Sequence, residues 1–293
     1  MARILLLENP HASADDLFAR ANHEIIRIDH ALQGQDLIDA LDGVQLLGIR
    51  SKTSVTREVI EACPELVAIG AYCIGTNQID LEAANDHGVA VFNAPYANTR
   101  SVVELAICEA IALTRHLPEK NTVLHEKIWE KSAAGAHEVR GKTLGIVGYG
   151  SIGSQLSILA EAMGMRVLFY DIAERLAIGN ARRLRSLDEL LASSDIVSLH
   201  VDGRPTNRNF FGRDQMDKMK PGAILINLSR GSIVDINALS DKLADGSISG
   251  AGIDVYPDEP DANGDPFDSP LIGFPNVLLT PHIGGSTVEA QES

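Results

Sequence analysis

The sequence is short of cysteine, of basic residues relative to acidic ones, and of long apolar runs. Each shortage argues against a class of protein. The three cysteines, Cys63, Cys73 and Cys108, are odd in number and form no CxxC or metal-ligand spacing. They read as buried free thiols in a reducing, cytoplasmic compartment, with no disulfide framework and no metal. Lysine and arginine number 25 against 40 aspartate and glutamate, a formal net charge of −15. Nucleic acids and anionic membranes are recognised through basic surfaces, so neither is an expected partner. A small anionic substrate stays compatible, because a few arginines can cluster on an acidic protein. The apolar run at the N-terminus ends at Glu8, too early for a signal peptide or a membrane span. There is no short-period repeat and no low-complexity segment.

What is present is an ordinary globular composition, 45% hydrophobic and 22% charged over 293 residues, enough for two medium domains. Short apolar, β-branched runs predict strands at 3–7, 24–28, 45–49, 66–69 and 89–92. Helical patterns fall between them at 13–21 (with Ser13 as cap), 36–41, 56–62 and 80–86. Such alternation predicts a parallel sheet with helices on both faces. At 93–99 the pattern breaks: Pro95 excludes helix, and Asn98 or Thr99 can cap the next one. Residues 101–117 are apolar on nearly all faces, Glu104 and Glu109 excepted, which predicts a buried helix between two domains. A second series has strands at 143–147, 166–170, 196–199, 223–228, 251–255 and 277–279. The expected fold is therefore α/β: two doubly wound parallel-sheet domains, residues 1–97 and 98–282, with a cleft between them and 283–293 returning toward the first.

Gly148-Tyr-Gly150-Ser-Ile-Gly153 follows a strand and opens a helix, the context a dinucleotide fingerprint requires. Gly148 permits the tight turn, Gly150 the approach of a pyrophosphate, and Gly153 close helix–strand packing. Amides at the helix N-terminus then face the phosphates. Asp171 ends the next strand, near the ~20-residue spacing of a carboxylate that binds the ribose hydroxyls. It would repel a 2′-phosphate, favouring NAD, although Arg175 stands close by in sequence.

Three polar residues fall at strand C-terminal ends, where open α/β sheets bind ligands. They are Arg230, Glu259 and His282. An imidazole can take the hydroxyl proton of a 2-hydroxy acid as hydride departs. A carboxylate can orient it and raise its pKa, and a guanidinium can grip the substrate carboxylate. Each alone has a bland reading as an ion pair or turn residue; together they suit hydride transfer. Arg50-Ser-Lys-Thr53 is a further donor-rich strand end, fit for a phosphate or carboxylate or for solvent.

These residues, with Tyr72-Cys-Ile-Gly-Thr-Asn-Gln-Ile-Asp80, the stretch 92–101 and Thr280-Pro-His-Ile-Gly-Gly-Ser-Thr287, give a resemblance covering almost the whole chain. The chain resembles the D-isomer-specific 2-hydroxyacid dehydrogenases, and within them the branch that oxidises 3-phosphoglycerate. The resemblance implies a flavodoxin-like substrate domain and a Rossmann NAD-binding domain. It implies Arg230, Glu259 and His282 as catalytic set. It also implies NAD contacts from Ser151, Ile152, Asp171, Leu228, Ser229, Asp254, Ile283, Gly284 and Gly285. For the substrate it points to Arg50, Ser51 and Asn98, with Trp129 and Lys131 reaching a neighbouring subunit of a homodimer built through the NAD-binding domain. Two departures stand out. Asp202 occupies the place after Val201 where the family has proline, and the chain ends at Ser293, before the returning helix and the regulatory domain often found in that branch. Other 2-hydroxyacid dehydrogenases (glyoxylate, hydroxypyruvate, lactate or 2-hydroxyglutarate types) remain open at this point. So does an NADH-binding module without enzymatic activity.

Overall fold

Arg3–Leu7 is a five-residue run whose last four side chains are buried, as in a strand covered on both faces. In the computed structural model, which describes residues 1–260 and 264–292, it is strand β1 of the first of two units. That unit comprises Met1–Asn98 and the segment from Ser286; the second is Thr99–Gly285.

The first unit continues with α1 (Ser13–Arg20), β2 (Glu24–Ile28), α2 (Gly34–Ala40), β3 (Leu46–Ile49), α3 (Arg57–Ala62), β4 (Ala68–Ala71), α4 (Leu81–Asp86) and β5 (Ala90–Asn93). Its five strands are all parallel in the order β2-β1-β3-β4-β5, the flavodoxin-like arrangement. Alternation along β1 divides the core. Leu5 and Leu7 pack with Leu37, Val59, Ile60 and Ala83 of α2, α3 and α4. Ile4 and Leu6 pack with Ala14 and Phe18 of α1. Asp80 caps α4 by accepting from the Ala83 amide at 2.8 Å. Ser13 does not cap α1: Ala12 holds the cap position, and the Ser13 hydroxyl is bonded to the His11 ring at 3.0 Å.

The second unit contains α5 (Thr99–Thr114), α6 (Leu117–His125), β6 (Thr143–Val147), α7 (Ser151–Ala162), β7 (Arg166–Tyr170), β8 (Arg182–Arg183), α8 (Leu187–Ser193), β9 (Ile196–Leu199), α9 (Arg213–Met216), β10 (Ala223–Asn227), α10 (Ile236–Ala244), β11 (Ile248–Ile253) and β12 (Val277–Leu279). A short α11 (Val288–Glu292) follows in the C-terminal segment. The seven strands run β12-β11-β10-β9-β6-β7-β8, all parallel. The order reverses between β6 and β9, the position where loops splay apart and such sheets bind ligands. One face is covered by Val103, Ala106 and Ala110 of α5 with Leu156 and Ala160 of α7. The other is covered by Leu190, Leu191, Leu239 and Leu243 of α8 and α10.

Three expectations are corrected here. Neither Asn98 nor Thr99 caps α5, since the side-chain oxygens of both lack a hydrogen-bond partner. Of the cysteines only Cys63 is buried; Cys73 is half-buried and Cys108 exposed, and none of the three is in a disulfide. Cys108 stands one helical turn beyond the exposed Glu104, so α5 has an outward stripe and is not covered all round within its unit. Glu109, by contrast, turns inward. β8 was not expected: its two exposed arginines carry no apolar signal. No helix among the described residues is long and apolar enough to cross a membrane.

Candidate active site

The turn after β6 is built on close approach. Gly148 has φ +93°, and a Cβ there would lie 2.4 Å from the carbonyl oxygen of His200, which follows β9. A Cβ on Gly153 would lie 2.3 Å from the carbonyl oxygen of Gly148, so α7 touches the turn it leaves. Gly150 differs: a Cβ there meets nothing within 4 Å, and no side chain caps the N-terminus of α7. The first amides of this helix of 12 residues therefore face open space with their partial positive charge. Ser151 is exposed and Ile152 half-buried at its start.

Asp171, directly after β7, accepts from the Tyr149 amide and from the Ala173 amide, both at 2.7 Å. It thus ties the glycine turn to the end of β7 while Arg175 approaches to 3.6 Å. A carboxylate has about four lone-pair sites, leaving acceptor capacity for ribose hydroxyls. Open space at Gly150, uncapped amides and an acid at the end of β7 fit the sugar-diphosphate part of NAD. On the far side of the turn Asp202 accepts from Arg204 Nε at 2.7 Å and Asn207 Nδ2 at 3.0 Å. The loop after Val201, where the resemblance implies proline, is closed by its own side chains.

Arg230, Glu259 and His282 come together with the ends of β10, β11 and β12. Asn227 ends β10 fully buried. Its amide oxygen accepts from Ser229 N at 3.1 Å and Ser229 Oγ at 2.7 Å, and its nitrogen donates to the Arg230 carbonyl at 3.1 Å. Leu228 and Ser229 are buried, and Arg230 donates from Nη1 to the Ser229 carbonyl at 2.7 Å. Gly231 follows, where a Cβ would lie 1.8 Å from the Tyr256 carbonyl oxygen; only glycine lets the two strand ends meet.

Asp254, just past β11, organises the segment that carries the imidazole. It is 1% exposed. Its carboxylate accepts from Thr280 Oγ1 at 2.6 Å, Ile283 N at 2.8 Å and Gly284 N at 2.7 Å. Its carbonyl accepts from His282 N at 2.8 Å. These bonds hold His282 at φ +53°, a conformation non-glycine residues seldom adopt. Half-buried Gly285 follows.

His282 Nδ1 lies 2.7 Å from Glu259 Oε2, and Glu259 Oε1 accepts from the Tyr256 amide at 3.1 Å. The Glu259 bond raises the pKa of His282 against the opposing effect of burial; the Asp254 charge adds to the rise and Arg230 subtracts. Burial pushes the Glu259 carboxyl up, but the bond and charge of His282, the Tyr256 amide and the Arg230 charge outweigh it, and its pKa falls. With Nδ1 committed to a carboxylate, Nε2 is the nitrogen left to accept a proton.

The remaining expected residues are carried by other elements. Arg50 and Ser51 belong to the first unit, in the turn after β3. There Glu8 accepts from the amides of Arg50 at 3.2 Å, Lys52 at 2.9 Å and Thr53 at 2.8 Å. Three backbone donors of the turn are spent on Glu8, which leaves an anion there mainly to side chains. Among the described residues the Arg50 guanidinium has no partner. Asn98 is half-buried at the unit boundary. Trp129, 80% exposed, and exposed Lys131 lie on the loop after α6. Sequence reasoning missed Glu8, Asn227, Gly231 and Thr280. Glu8, Asn227 and Gly231 act on backbone and Thr280 on the Asp254 carboxylate, and only a polar residue or glycine at a strand end hints at such roles.

Residues 107–284 match the D-isomer specific 2-hydroxyacid dehydrogenase, NAD binding domain. Over 99% of its length the chain is 53% identical to D-3-phosphoglycerate dehydrogenase of Haemophilus influenzae, covering 71% of that protein. It is 52% identical, with the same coverage of both chains, to the protein of that name from Escherichia coli. A solved structure of D-lactate dehydrogenase from Aquifex aeolicus, complexed with NAD and lactic acid, matches with a TM-score of 0.86. The identity there is 27%, over 99% of this chain and 91% of that one. The chain belongs to the D-isomer-specific 2-hydroxyacid dehydrogenases. Its second unit contains the NAD-binding domain of that family.

Proposed function

We propose that this chain oxidises 3-phosphoglycerate to 3-phosphohydroxypyruvate with NAD, the opening step of phosphorylated serine biosynthesis. The observation that carries the chemistry is the His282–Glu259 pair at 2.7 Å with the Arg230 charge acting on both partners. Relatives named for this reaction, at 53% and 52% identity, support the choice of substrate.

Nε2 of His282 takes the C2 hydroxyl proton, and Glu259 stabilises the imidazolium that forms. Arg230 grips the substrate carboxylate and polarises the oxygen that becomes the carbonyl. NAD, when bound, supplies the acceptor for the C2 hydride. Gly148, Gly150, Ser151, Ile152 and Gly153 would hold its diphosphate and Asp171 its ribose. Leu228, Ser229, Asp254, Ile283, Gly284 and Gly285 would hold its nicotinamide end. Arg50, Ser51 and Asn98 would bind the phosphorylated acid, its unpaired guanidinium making Arg50 the strongest of the three. Exposed Leu117, Leu124, Ile128 and Trp129 on α6 and the loop beyond support a homodimer through the NAD-binding domain, with Trp129 and Lys131 serving the neighbouring subunit. Cysteines outside any disulfide support a cytoplasmic location.

The substrate is tested by steady-state NADH formation. The kcat/KM for 3-phosphoglycerate should exceed that for unphosphorylated D-glycerate by at least about 100-fold, the scale of one or two charge-assisted hydrogen bonds. A ratio near one would refute the phosphate assignment. The Glu259–His282 pair is tested by Glu259→Gln. Since Glu259 raises the His282 pKa, its loss lets the base form persist at lower pH. The acid limb of kcat/KM for oxidation should therefore move to lower pH while kcat falls through lost orientation. An acid limb that stays in place would show that the carboxylate does not set the imidazole.

A further inference from the structure

α5 carries one acid into the interior that the proposed chemistry does not use. Glu109 is 1% exposed, and among the described residues neither of its carboxyl oxygens has a hydrogen-bond partner. Its Oε2 lies against the backbone of β11, where a Cβ on Gly252 would be only 2.2 Å away. Gly252 and Asp254 are two residues apart in one extended segment and present the same face. The acid therefore sits on the side of the sheet from which Asp254 reaches Thr280, Ile283 and Gly284. A bare carboxylate, dry and beside a second one, is the form that burial and like charge both disfavour.

We propose that Glu109 is a positioning residue for the active site. Held as the neutral acid behind Asp254, it leaves Asp254 the single negative charge that anchors the His282 segment, and its ionisation loosens that anchor. Burial first, and then the Asp254 charge, push Glu109 up to about 8, so the loosening falls in the mildly alkaline range. The other groups around it are accounted for. The segment after β11 brings Asp254 and Tyr256, both coupled to it. β10 and β12 bring no titratable side chain. α7 brings only Glu161, which accepts from the Asn180 amide. α6 commits Glu119 to His116 and Lys120 to Glu130, and its His125 is exposed. On α5 itself Arg100 and Glu104 pair outward, and Cys108 is exposed.

The inference rests on the proposed site but is tested without substrate or NAD. In the full chain, the amide NMR signals of Ile283 and Gly284, which report the Asp254 anchor directly, are followed from pH 6 to 10 in the wild type and in Glu109→Gln. A step near pH 8 in the wild type, absent in the variant, is the expected result. Wild-type amides that show no such step, or a variant that keeps it, would overturn the role of Glu109 and leave the proposed reaction standing. If Glu109→Gln does not fold, the wild-type protein with ¹³C-labelled glutamate decides: the buried carboxyl must titrate near 8 together with the two amides. Titration in the ordinary carboxylate range, or apart from them, overturns the proposal.

Discussion

Replacing His282 by asparagine lowers kcat by about 10²- to 10⁴-fold, the usual contribution of a positioned general base. Asparagine is the informative substitution. Its side-chain amide nitrogen stands close to where the imidazole has Nδ1, so the bond to Glu259 has a donor at the same place. It also tolerates a left-handed backbone, which the residue at this position must adopt. What disappears is Nε2, the atom assigned to the proton. Steady-state kcat with 3-phosphoglycerate checks the loss, and NADH affinity by fluorescence checks that the Asp254 anchor survives. A loss under about tenfold, with NADH affinity kept, would remove His282 from its assigned role, because so small an effect lies below the range of general-base catalysis.

Gly231→Ala is the second large effect, and it acts through backbone. The added carbon would lie 1.8 Å from the carbonyl oxygen of Tyr256 and 2.6 Å from the Pro257 nitrogen. No side chain can swing aside, since both neighbours are main chain. The ends of β10 and β11 must separate, at the upper end of overpacking costs, about 3 kcal/mol. For a protein of this size that lowers Tm by roughly 6–12 °C. Gly203→Ala is the control: its nearest neighbour is the flexible Arg230 side chain, at 3.1 Å. Thermal denaturation of the two variants should separate them clearly. A Gly231→Ala protein as stable as the Gly203→Ala protein would mean that the strand ends are not in obligatory contact. Activity should fall with stability here, because the separation carries Arg230 away from the segment leading to Glu259.

The contrast between these residues shows what a sequence can carry. Period and turn chemistry are local, so all but β8 of the strands, and the glycine turn after β6, could be read within a few residues of their ends. Arg230, Glu259 and His282 were legible because their chemistry is conspicuous and each follows a strand. Gly231 was not, because its constraint comes from Tyr256, 25 positions along the chain. Glu8 was not, because its carboxylate closes a turn formed by residues 50–53. The missed cap at Ser13 has the same origin on a smaller scale: the neighbouring His11 ring competes for the hydroxyl. α5 misled most. Its apolar composition is real, but composition does not say that Cys108 faces outward and Glu109 inward.

One arrangement has a consequence for how such enzymes diversify. Arg230, Glu259 and His282 are all carried by the unit Thr99–Gly285, whereas Arg50 and Ser51 belong to the other. The groups proposed to carry the chemistry and the groups proposed to choose the acid are thus encoded in different stretches of the gene. Mutations that retrain the choice can accumulate in one stretch while the bond-making machinery in the other is inherited intact.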